Sequence, residues 1–106
     1  MVIDICFTDD CTVTNPRIYN ADTGEYFGLI GTFTGAENIV YRIDSVKKMV
    51  TKLVDGEMES NLLNSVMSNS TWLMVRNGQN MFYYRDNTGT DDMYLKISFT
   101  EKYEGV

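Results

Sequence analysis

Asn77-Gly78 stands between two runs rich in apolar and aromatic residues, 72–75 and 81–84, and it restricts the fold more than any other stretch. A two-residue hairpin loop needs positive φ at both central positions, which Asn followed by Gly reaches at little steric cost. The spacing therefore predicts a hairpin over 71–85 and fixes its register. Arg76 falls opposite Gln79, Val75 opposite Asn80, Met74 opposite Met81, Leu73 opposite Phe82, Trp72 opposite Tyr83 and Thr71 opposite Tyr84. One face of that ribbon carries Thr71, Leu73, Val75, Phe82 and Tyr84. The other carries Trp72, Met74, Arg76, Gln79, Met81, Tyr83 and Arg85, an amphipathic set.

Upstream, residues 2–7 alternate, with Ile3, Ile5 and Phe7 against Val2, Asp4 and Cys6, as in a half-buried strand. Thr12 to Thr14 favour a second strand, ended by Pro16, which cannot donate to a ladder. Residues 17–20 and 25–33 flank Ala21-Asp22-Thr23-Gly24 and read as a hairpin, with Gly28 and Gly31 marking a bend. Ile39, Tyr41 and Ile43 give another strand over 38–43. Near the end, Met93, Leu95, Ile97 and Phe99 alternate with Tyr94, Lys96, Ser98 and Thr100. Pairing that strand with 81–85 and matching apolar faces gathers Leu73, Val75, Phe82, Leu95, Ile97 and Phe99 into the core. Trp72, Met74, Met81, Tyr83, Tyr94 and Lys96 are left on an outer face.

Between these strands the period changes. Val46, Met49, Val50, Leu53 and Val54 recur at helical spacing behind Asp44 and Ser45, which suit an N-cap, and Gly56 suits a stop. Leu62, Leu63, Val66 and Met67 make a second, shorter stripe behind Glu57, Glu59 and Ser60. The expected fold class is α+β: an antiparallel sheet built from hairpins, two consecutive central helices packed on one face, in the order βββββααβββ. At 106 residues, 43% of them hydrophobic, residues 1–106 are expected to form a single domain.

The chain contains no histidine, the usual base for a serine or cysteine nucleophile and the commonest zinc ligand. Asp9-Asp10 and Asp91-Asp92 are neighbours within turns rather than carboxylates held opposite a substrate. No enzyme activity, cofactor or metal is therefore expected. The oxygen-rich loop over 86–92 misses the EF-hand spacing and reads as an ordinary polar connection. Cys6 and Cys11 are expected to be reduced thiols, although their separation allows a bridge. No apolar run approaches the roughly 18 residues of a membrane span, and residues 1–7 lack a signal-peptide pattern, so the expected location is cytoplasmic.

A net charge of −6 disfavours direct nucleic-acid contact and suits a basic partner surface. In size and charge the chain is similar to the small inhibitors and immunity proteins of phages and bacteria. That analogy implies a non-enzymatic, protein-binding inhibitor or adaptor that acts on a basic, nucleic-acid-binding surface by mimicking nucleic acid. The residues expected to meet the partner are Trp72, Met74, Arg76, Met81, Tyr83 and Tyr94 on the outer face, and, for the mimicry of nucleic acid, Asp91 and Asp92 in an acidic turn. The alternatives are a small-ligand or metal-binding domain, and a self-assembling structural subunit that forms homo-oligomers.

Overall fold

The computed structural model describes residues 1–73, 81–88 and 91–98. Alternation at 2–7 produces strand β1 (Val2–Phe7), followed by β2 (Cys11–Thr14), β3 (Arg17–Asn20), β4 (Tyr26–Gly28), β5 (Thr32–Gly35) and β6 (Ile39–Asp44). Then come β7 (Met49–Val54), β8 (Glu57–Asn61), a single 3-10 turn at Leu63–Ser65, β9 (Phe82–Arg85) and β10 (Met93–Ser98). The strands form a five-stranded sheet in the order β10-β1-β6-β7-β8, a pair β2-β5, and a three-stranded sheet β4-β3-β9. Every pairing between them is antiparallel.

All three sheets feed one core. Ile3, Ile5 and Phe7 of β1 pack with Tyr41 and Ile43 of β6, Val50 of β7 and Met93 of β10. Val13, Ile18, Phe27, Leu29 and Leu73 close it from the smaller sheets and the segment after β8. The register explains the match, because Ile3 pairs with Ile97 and Ile43, Ile5 with Leu95 and Tyr41, and Phe7 with Met93. Side chains on paired positions share a face, so one apolar alternation reinforces the next.

The α+β expectation is overturned: the segment expected to hold two helices folds as β7, β8 and a 3-10 turn. The cause is local. The Asp44 carboxylate accepts the amides of Val46 and Lys47, both at 3.0 Å, the same bonds an N-cap would make, but here they close a turn over 45–48. Lys48 at φ 54° takes the left-handed region and sends the chain back as a strand. Of the expected helix stripe, Val46 is 79% exposed while Val50 is fully buried and pairs with Ile43. Asp55 and Gly56, at φ 53° and 81°, are the two positive-φ residues of a hairpin loop joining β7 to β8. Gly56 is thus a hairpin residue and not a helix stop.

The pairing expected for the C-terminal ribbon is corrected as well. Strand β9 pairs with β3, and β10 pairs with β1, so 81–85 and 93–98 are not ladder partners. The Asn77-Gly78 turn, Met74, Val75, Arg76 and Phe99 lie outside the described residues. Residues 71–73 form no strand in the described structure; the Thr71 amide donates to the Tyr26 carbonyl at 2.7 Å. Together with the bonds Ile30 N–Ser65 O and Met67 N–Gly28 O, this lays 65–71 along the edge of β4.

Two interactions give testable energetics. On the face of β1 and β6 opposite Ile3 and Ile43, Arg42 Nε and Nη2 donate to the two Asp4 carboxylate oxygens at 2.8 and 3.0 Å. The Asp4 side chain is 12% exposed and that of Arg42 47%, so an orphaned Arg42 retains water while the pair still gains from its bidentate geometry. Asp4→Ala is expected to cost about 1–2 kcal/mol, with most of it recovered as coupling in a double-mutant cycle with Arg42→Ala. Denaturant melts of the four proteins measure both numbers.

Tyr41 is buried between Phe7 and Phe33, with ring centroids 5.9 and 5.5 Å away, and donates its hydroxyl to the Thr34 carbonyl at 2.6 Å. Burial, and behind it the Glu59 carboxylate, pushes its pKa from 10.0 up to about 12. A raised acid pKa in the native state means that the unfolded chain loses its proton first. The contribution is therefore whole below pH 10 and drains away as pH rises toward about 12. About 2 kcal/mol of stability should disappear across that window. Tyr41→Phe should start about 1 kcal/mol less stable at neutral pH, and its curve should be the flatter of the two between pH 10 and 12. Melts of both proteins across that range check it.

Candidate functional site

The face of the β4-β3-β9 sheet that points away from the core carries a cluster of interface-type side chains. Ile18, Phe27 and Tyr84 lie on its inner side, since Ile18 pairs with Phe27 and Tyr84. The alternate positions bring Tyr19 level with Tyr26 on one flank and Tyr83 on the other. The Tyr19 ring stacks on Tyr83 at 5.1 Å and 10°, and leans on Tyr26 at 5.6 Å and 36°. The Arg85 guanidinium lies over the Tyr83 ring, 5.6 Å from its centroid. One register step away, Arg17 pairs with both Gly28 and Arg85.

Local chemistry holds this face in place. The buried Asn20 side chain accepts the amides of Asp22 and Thr23 at 2.9 and 3.3 Å, which sets the β3–β4 loop, while Gly24 at φ 76° supplies its left-handed residue. Asp22 Oδ2 accepts the Met81 amide at 3.1 Å, and Ala21 donates to the Met81 carbonyl at 2.8 Å, so β9 enters in register beside β3. Gly28 admits Met67, because a Cβ built there would come within 2.6 Å of its sulfur and 2.9 Å of Arg17 Cγ.

The residues expected at the partner surface are not gathered on one face. Tyr83 and Met81 are exposed at or beside β9. Trp72 is half-buried against the core, with its ring centroid 4.7 Å from that of Phe27. Tyr94 is exposed on β10, opposite Cys6 of the five-stranded sheet. Asp91 is exposed, and Asp92 is tied to the β1–β2 turn, where its carbonyl accepts the Thr8 amide at 2.8 Å. Met74 and Arg76 lie outside the described residues. Sequence reasoning passed over Tyr19, Tyr26 and Arg17; the available signal was the alternation of Arg17 and Tyr19 with Ile18 and Asn20 inside a predicted strand.

Among the described residues, no group of three or more acids, cysteines or histidines comes together to hold a metal ion. In the loop after β9, the Asp86 carboxylate accepts the backbone amide and hydroxyl of Thr88, and that hydroxyl also reaches the Thr12 carbonyl at 3.1 Å. Cys6 and Cys11 are unbridged. Burial, with the Asp4 charge behind it, raises the Cys6 thiol above its ordinary value and keeps it protonated at neutral pH.

No curated protein and no solved structure matches the chain. One family model does, over residues 1–103, and its description is siphovirus-type tail component, C-terminal domain. With nearly its whole length inside that match, the chain belongs to the siphovirus-type tail component C-terminal domain family.

Proposed function

We propose that this chain is a non-catalytic structural domain of a siphovirus-type tail, which works by packing against neighbouring protein subunits. The match over residues 1–103 carries the reading. It replaces the expectation of an acidic inhibitor that mimics nucleic acid on a basic surface, an expectation that rested on size and net charge alone. The alternative of a structural subunit fits the family and retains the phage origin. The non-catalytic part rests on a sequence without histidine, whose neighbouring acid pairs Asp9-Asp10 and Asp91-Asp92 lie outside the strands. An outward sheet face of tyrosines and arginines supports contact with protein, because Tyr, Arg and Met concentrate at the energetic centres of interfaces.

Immunogold labelling of purified virions from the source phage, with an antibody raised against this chain, tests the reading. Gold confined to the tail is the expected result. A chain that stays in the soluble fraction of infected cells and never reaches the particle would contradict it.

A further inference from the structure

The tyrosine face holds a charge arrangement that the fold itself does not use. Arg17 and Arg85 are direct cross-strand partners, and like charges placed opposite each other work against pairing. Neither side chain makes an ion pair or hydrogen bond among the described residues, and Arg17 Nε is shut off from solvent without an acceptor. This occurs in a chain with 15 acidic and 9 basic residues, where a carboxylate neighbour is easily supplied.

We infer that this face docks a carboxylate-bearing surface of a neighbouring polypeptide in the tail, with Arg17 and Arg85 taking the carboxylates while Tyr19, Tyr26, Tyr83 and Met67 pack around them. The inference rests on the tail reading above. Charge complementarity is its main support: two arginines paired across the ladder, neither with an anion among the described residues, suit acidic side chains, which guanidinium groups bind through planar, charge-assisted hydrogen bonds. The stacking geometry selects protein over saccharide. Tyr19 and Tyr83 spend a ring face on each other and Arg85 covers Tyr83, so these two rings meet a partner largely with edges and hydroxyls. Such amphipathic edges suit a half-wet protein contact. Nucleic acid is disfavoured by the net charge of −6.

The test uses assembled particles carrying Arg17→Lys and Arg85→Lys, which keep the charge and add amines. A water-soluble carbodiimide joins an amine to a carboxylate only where the two touch, and peptide mass spectrometry reads the products. Cross-links from positions 17 or 85 to Asp or Glu of another polypeptide are expected. In parallel, Arg17→Glu with Arg85→Glu should lower incorporation of the chain into tails roughly tenfold or more, while the isolated variant keeps its native melting temperature. Cross-links that are absent or stay within one chain would overturn the docking face, and so would normal incorporation of the charge-reversed chain. Absence of the native chain from particles would overturn the tail reading along with it, so the two failures are distinguishable.

Discussion

Replacing Phe27 with alanine is expected to lower the unfolding free energy by about 3–5 kcal/mol, the largest loss from any single truncation considered. Phe27 is 1% exposed and belongs to β4, a strand of only three residues. Its ring faces Ile18 across the ladder and lies against Trp72, which follows the segment along the edge of β4. Removing the ring leaves a cavity walled by a rigid indole and by backbone that is hydrogen-bonded on both sides, so little can collapse into it. Stability for a domain of this size is on the order of 5–15 kcal/mol, and the loss is a large share of it. Urea titration followed by Trp72 fluorescence measures the effect. A change below about 1 kcal/mol would mean that the β4 layer is not packed as described.

Gly35→Ala is the second large effect, and it acts by crowding. A Cβ at this buried position would lie 2.4–2.7 Å from three carbons of the Phe7 ring. Phe7 is itself buried and meets Tyr41 edge-on, so the ring has no solvent side to swing toward. The expected cost is about 2–3 kcal/mol. Adding Phe7→Leu to Gly35→Ala should recover part of it, because a smaller side chain relieves the clash. Gly24→Ala is the contrasting case: nothing lies within 4 Å of its Cβ, but φ is 76°, so the cost should be about 1 kcal/mol and purely conformational. Equal losses at positions 24 and 35 would refute the packing explanation.

The strands over 2–7, 39–44 and 93–98 were legible in the sequence because each carries its own alternation, which places Tyr41, Ile43 and Met93 inward; β1, however, is buried on both faces, and Ile97, expected in the core, is exposed. The hairpin of β3 and β4 was legible from Asp22 and Gly24 in its loop. The stretch over 45–61 was misread because its apolar residues follow the helical period, and β7 is buried on both faces, which leaves no alternation to mark it as a strand. Val46, Met49, Val50, Leu53 and Val54 fit a helical stripe, while Val50 and Thr51 are buried on opposite faces of a strand. Asp44 then makes an Asx turn with the hydrogen bonds of an N-cap, so the capping pattern alone cannot separate the outcomes. The decisive local clue was Asp55-Gly56, a hairpin dipeptide between Leu53-Val54 and Glu57-Met58.

Strand pairing was harder to read than strand existence. β10 joins β1 across most of the chain length, and β9 joins β3 across more than half of it. Local patterning scores a strand without naming its partner, so adjacency in sequence stood in for adjacency in space. The same gap hid the tyrosine face. Tyr19, Tyr26 and Tyr83 come from three strands, and only the cross-strand register stacks them. Trp72 shows the converse, since an aromatic flagged for an interface is packed on Phe27 against the core.

The all-β path of the chain through residues 44–61 is the claim on which the layout of every surface depends. Backbone NMR of the isotope-labelled chain tests it directly. Cα secondary shifts of strand sign over 49–54 and cross-strand contacts between Ile43 and Val50 are the expected result. Helix-sign shifts over the same residues, with sequential amide contacts running unbroken from 45 to 55, would contradict it.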